Sequence, residues 1–139
     1  MNRPPYWDKT ITVLNKLSAR DSVTKLDTWV KTTLTDCFYK QTTTRDVSGT
    51  TVSLGTSVVC RIPKNPDYKP YHIWKNDITS GFTLSPGDYI FKGELAEDIT
   101  AQNIVSVYSA HKPDAMLIRA VSDNSDVIGL IEHYKAEGI

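Results

Sequence analysis

The sequence predicts a mainly β fold (β+α): a small β-barrel with one long hairpin and one short packed helix. Three observations carry this. The stretch 36–63 is dominated by β-branched and aromatic residues, which suit a pleated, half-buried surface. Turn pairs, Ser48-Gly49 and Pro86-Gly87, separate short alternating runs. Only one segment, 100–112, repeats its apolar residues at helical spacing. The length of 139 residues suits a single domain, 1–139, and 40% apolar with 23% charged residues allows a real core.

The elements follow in order. Residues 1–8 read as an extended N-terminal arm, because Pro4-Pro5 favours extended backbone and Tyr6-Trp7 can anchor it; 9–139 forms the barrel-like body. Thr10-Ile11-Thr12-Val13-Leu14 alternates as a first strand, and 16–27 reads as a loop. A second strand starts at Thr28 and continues through Cys37-Phe38-Tyr39-Lys40. The 36–63 meander turns at Ser48-Gly49, breaks again at Gly55 and stops at Pro63, which has no amide donor. Its middle, the hairpin 42–54, is polar enough to project from the body. The segment 63–80 holds Pro63, Pro66, Pro70, Tyr68, Tyr71 and Trp74 without a helical or strand period, and reads as a long loop.

Ser85-Pro86-Gly87-Asp88 predicts a type II turn. The following strand puts Tyr89 and Phe91 on one face and Ile90 on the other. In the helix, Thr100 is the expected N-cap and Ile104, Val107 and Tyr108 form the buried face. Glu97 and Asp98 before it and Lys112 at its end suit the helix dipole, and Pro113 stops it. A strand over 116–121, an Asx-rich turn over 123–126 and a last strand over 129–136 complete the chain.

The same residues limit function. No apolar run is long enough for a membrane helix, and the first residues lack the apolar core of a signal peptide, so the expectation is a cytoplasmic, reducing environment and no membrane partner. Cys37 and Cys60 then read as buried free thiols, with a disulfide open if their strands are neighbours. Cys37 and His72 have no spacing that makes them nucleophile and base, and the three histidines lack metal-ligand spacing. Asp123-Asn124-Ser125-Asp126 lacks the Gly and terminal Glu of a calcium loop. No catalytic, cofactor or metal site is expected.

Zero net charge argues against a general nucleic-acid binder. Residues 1–75 nevertheless hold 12 Lys+Arg and 6 Asp+Glu, a surplus of +6, and residues 76–139 hold 4 and 10, giving −6. If the halves occupy different faces, copies attract one another; if the fold mixes them, the asymmetry vanishes. Two surfaces stand out for contacts: the hairpin tip with Arg45, Val47, Ser48, Gly49 and Thr50, and the 63–77 segment with Tyr68, Tyr71 and Trp74. These three aromatics suit interface anchors, a stacking surface for nucleic acid, or packing over one end of the barrel.

Several stretches together resemble an uncharacterised family of small virion proteins of tailed phages and prophages of Gram-positive bacteria. They are Asp36-Cys37-Phe38-Tyr39-Lys40, Val47-Ser48-Gly49-Thr50-Thr51-Val52, Arg61-Ile62-Pro63, Phe82-Thr83-Leu84-Ser85-Pro86-Gly87-Asp88, Lys92-Gly93, Asp98-Ile99-Thr100 and Lys112-Pro113-Asp114-Ala115. Val121-Ser122-Asp123-Asn124, His133-Tyr134 and Glu137-Gly138 follow in the same order, so the resemblance spans 30–139 and departs at the N-terminus. It implies a non-enzymatic part of the head–tail connector, or neck: a head-closure (stopper) protein in a ring, assembled in the host bacterial cytoplasm into the virion. Implied partners are copies of itself, portal or adaptor and tail proteins, and DNA in the channel. A capsid decoration or tail-terminator (tail-completion) protein is the alternative within that class; a stand-alone ligand-binding module is the alternative outside it.

Overall fold

A computed structural model describes residues 7–22, 25–49, 51–112, 114–124 and 132–139, with backbone alone for 44–48 and 51–56. The strands are β1 (Lys9–Leu17), β2 (Thr28–Ser48), β3 (Thr51–Pro63), β4 (Tyr89–Lys92), β5 (Ala115–Asn124) and β6 (His133–Gly138). Two short helices, α1 (Tyr71–Trp74) and α2 (Ile104–His111), lie in the connections. The strands close into an antiparallel barrel in the order β1-β2-β3-β6-β5-β4. The expected barrel is therefore present.

Two strands turn the corners of this barrel. β2 pairs with β1 from Thr28 to Cys37 and with β3 from Phe38 to Ser48. β5 pairs with β4 through Leu117 and with β6 from Ile118 onward. Each bends at an irregularity in its register. On β2 the shift lies opposite Lys9/Ile11, where Asp36 has φ 62°. On β5 it lies between Ile118 and Ala120. An extra residue on one strand bends it and sharpens its twist, which lets a sheet fold around a small core.

The core has two parts. Inside the barrel, Ile11, Val13, Tyr39, Val58, Ile62, Ile90, Met116 and Ile118 pack together. Outside one wall, Leu14, Tyr89, Phe91, Leu95, Ile104 and Ala115 form a second cluster under α2. Residues 11–15 of β1 are consequently buried on both faces. The alternation predicted for β4 holds: Ile90 faces the interior, while Tyr89 and Phe91 face α2.

The helix is shorter than the expected 100–112: α2 starts at Ile104 after Asn103, which makes no side-chain cap, so Thr100 is not its N-cap. Thr100 heads the turn before α2, its Oγ1 accepting from the amides of Gln102 and Asn103, and the amide of Ile104 bonds to its carbonyl. Val107 and Tyr108 pack on the outer cluster, and Lys112 lies over the Tyr108 ring at 4.8 Å. The turn at Pro86-Gly87 has Gly87 at φ 96° and an Asp88 amide to Ser85 carbonyl bond of 3.0 Å, as a type II turn requires.

Several expectations change. Gly55 does not break β3; it pairs with Thr44 inside an unbroken ladder. The hairpin turn lies one residue later than predicted, with Ser48 opposite Thr51 and Gly49 at φ 61°. The first strand runs on to Leu17, so only the later part of 16–27 is a connection. The 63–80 segment is not structureless: it contains α1 and a bridge from Tyr68 to Phe82. Asp123 and Asn124, expected in a turn, instead end β5, opposite Tyr134 and His133; Pro113, Ser125, Asp126 and the 129–131 start of the last expected strand lie outside the described residues. So do residues 1–6 of the arm, although Trp7 is buried against the rings of Phe38 and His133.

Candidate interaction site: the arm and the split beside β2

β2 is 21 residues long because it does two jobs. Its first part closes the barrel on β1. Its last part, with the start of β3, runs past both neighbouring ladders, since β1 ends its pairing at Cys37 and β6 begins its own at Val58. The polar hairpin expected over 42–54 is thus a two-stranded arm, register-paired to its tip. Arg45, Val47 and Ser48 lie on the arm's β2 strand, where only their backbone is described. Gly49 occupies the tip and is exposed, in a left-handed conformation that glycine adopts without strain. Thr50 lies outside the described residues.

At the base of the arm the barrel wall splits. Residues 28–34 of β2 pair with β1, but β3 joins β2 only from Phe38 onward, and the last residues of β3 turn away to β6. An open cleft of about 420 Å³ lies between them, lined by residues 32–36 on one side and by Ile62, Pro63, Lys64, Asn65 and Asp67 on the other. Asp36 creates this split. A left-handed residue inside a strand throws the chain out of register, and Asp tolerates that conformation better than a β-branched residue. Sequence reasoning missed it. The available signal was Thr35-Asp36 inside an apolar, β-branched run, where aspartate is otherwise disfavoured.

The second predicted surface is built differently. Trp74 is fully buried, its Nε1 donating to the Gly81 carbonyl at 3.2 Å. That corrects the interface role expected for it: its ring is spent inside the chain. Tyr68 is half-buried on the interior core, 4.2 Å from the Tyr134 ring and 5.9 Å from Phe82. Tyr71 donates its hydroxyl to Asp21 Oδ2 at 2.7 Å, and this bond, with nearby Lys75 and Arg20, holds the Asp21 carboxyl below the usual range. The close approach at Gly81 completes the tie, because a Cβ there would sit 2.1 Å from the Asp67 carbonyl oxygen. Of the three packing options left open by the sequence, the segment takes the one that covers the barrel.

The titratable groups are held in structural settings. Cys37 and Cys60 are buried free thiols, as expected. Burial pushes the Cys37 thiol up to about 12 and Cys60 well above its ordinary value, the unreactive direction for a thiol. His72, on α1, is exposed. His133 is buried, and its Nε2 accepts from Arg61 Nη1 at 2.8 Å and Asn124 Nδ2 at 3.0 Å, which places the ring proton on Nδ1. His111 pairs with Glu97 at 2.5 Å. Among the described residues, no three His, Cys, Asp or Glu side chains gather where a metal would sit.

The wall is sorted by sequence half. β1, β2 and β3 are contiguous, as are β4, β5 and β6. The acidic 94–98 connection nevertheless folds back beside β2, where Lys31 Nζ donates to the carbonyls of Leu95 and Glu97. Lys64 of the first half also pairs with Asp123 of the second at 2.6 Å, so the two signs meet within one chain and the charge split does not define two clean faces.

Fold and site together define a class: a small antiparallel barrel carrying a two-stranded arm and an open strand edge at the arm's base. Residues 6–139 match the family of unknown function DUF6751, and the chain belongs to that family. No curated protein and no solved structure matches it.

Proposed function

We propose that this chain is a non-enzymatic building unit of a tailed-phage virion, a head-closure or stopper-like component of the neck ring. The arm carries the reading. A polar hairpin that runs past its own barrel leaves main-chain donors and acceptors that pair with water or with another chain, and strand addition is the usual way such edges are used. A 15.6 kDa barrel with an arm and a split wall suits a repeated ring subunit better than a catalyst. The resemblance over 30–139 to phage virion proteins is what supports this location. The partners under this reading are further copies, portal or adaptor and tail proteins, and DNA in the channel.

The test is to locate the chain in purified particles by electron microscopy of a tagged protein. Density at the head–tail junction is expected. Label over the whole capsid lattice would assign a decoration role, and absence from particles would reject the virion reading.

A further inference from the structure

The two unpaired edges of β2 lie on opposite sides of the strand. Residues 28–34 pair with β1 on one side and, among the described residues, with no strand on the other, the side that β3 takes further along. Residues 42–48 pair with β3 on that second side and, among the described residues, with no strand on the β1 side. One strand thus offers a receiving edge at its base and a donating edge at its tip. The two cannot pair within one chain, because they lie on opposite sides of the same strand, with Thr33 and Thr44 eleven positions apart, at most roughly 36 Å, and the bend at Asp36 between them.

We propose that residues 42–48 of one copy add as an antiparallel strand beside residues 29–35 of the next, entering the cleft between β2 and the end of β3. One register fits best. With Thr44 opposite Thr33, Thr42 falls opposite Thr35, Asp46 opposite Lys31 and Val47 opposite Val30. Hydroxyl and β-branched pairs are favourable kinds across a ladder; Lys31 Nζ is already held by the carbonyls of Leu95 and Glu97, so its charge is not what sets the register. A slip of two residues either way loses the Val47–Val30 pair. The cleft of about 420 Å³ gives the incoming side chains room on the β3 side. Because donor and receiver are different edges, each contact uses one and leaves the other. The interface is heterologous and repeats, closing into a ring when the rotation per subunit allows. This inference rests on the ring reading above and adds which strand meets which.

The test uses the full chain with Thr33→Cys and Thr44→Cys made separately; the native thiols Cys37 and Cys60 are buried. Each variant alone, concentrated and mildly oxidised, is expected to give no disulfide-linked dimer. Mixing the two is expected to give a linked pair, and the double variant a ladder of multiples. Failure of the mixture to link overturns the proposal, as does linkage of Thr44→Cys to itself, which would signal tip-to-tip contact. Sedimentation as a monomer at the highest soluble concentration overturns it too. Location of the chain at the neck is a separate readout. A neck-bound chain without this linkage would keep the ring and discard the arm-in-edge contact.

Discussion

Asn15 Nδ2 donates to Asp88 Oδ2 at 2.9 Å in the interior, joining β1 to the turn that opens β4. The Lys16 amide adds a bond to Asp88 Oδ1 at 3.1 Å, and Asn15 also bonds both ways with the Thr83 backbone. Burial nevertheless dominates and raises the Asp88 carboxyl to about 6 from its ordinary 3.8, with the hydrogen bonds from Asn15 and Lys16 opposing. A raised acid favours the folded state when protonated. Its contribution is full below pH about 4 and is lost as pH rises through about 6, a change of about 3 kcal/mol at most. The lowered Asp21 acts only below that window. Urea unfolding across pH 4–7 is expected to show this loss in the parent and a flatter profile in Asp88→Asn. The amide adds a constant offset, so the slope is the readout, and equal slopes would refute it.

Trp74 is fully buried beside Tyr71, with its Nε1 on the Gly81 carbonyl. Trp74→Ala is expected to cost about 3–5 kcal/mol, the range for deleting a buried large aromatic ring. Chemical denaturation measures this directly. A loss below about 1 kcal/mol would mean that the ring serves a surface instead.

Asp36 holds its left-handed backbone at the split in β2. Asp36→Gly is expected to keep the barrel, while Asp36→Val is expected to be less stable by about 1–3 kcal/mol, because a β-branched residue resists this conformation. Thermal melts of the two variants side by side decide it. Equal stability would place the strain elsewhere.

Deleting Arg45 to Val52 and bridging the ends with two glycines removes the tip but leaves the base of the arm paired. The trimmed chain is expected to keep its circular dichroism and melting temperature and to lose incorporation into particles. Normal titre of DNA-filled, tail-joined particles would show that the arm is a solvated hairpin.

Much of this architecture was legible in local pattern. The two faces of β4, the apolar face of α2 and the Pro86-Gly87 turn all follow from residue order, because periods of 2 and 3.6 and a left-handed glycine are local properties. Gly55 misled because glycine permits a break without demanding one; pairing with Thr44 carries the strand through. The 63–80 segment misled more deeply. Its prolines do exclude long regular structure, yet one helical turn buries Trp74, and the close approach of Gly81 to the Asp67 carbonyl ties the two ends of the segment together. Tyr68, Tyr71 and Trp74 were therefore recognisable as anchors, but not what they anchor. The split at Asp36 depends on where β3 leaves β2, a relation between distant residues that spacing along the chain does not encode.

The continuity of β2 has a mechanical meaning. The two strands of the arm leave its tip together and enter different ladders, β2 joining β1 beyond the bend at Asp36 and β3 joining β6. A pull on the tip is therefore shared between two walls of the barrel instead of being carried by one.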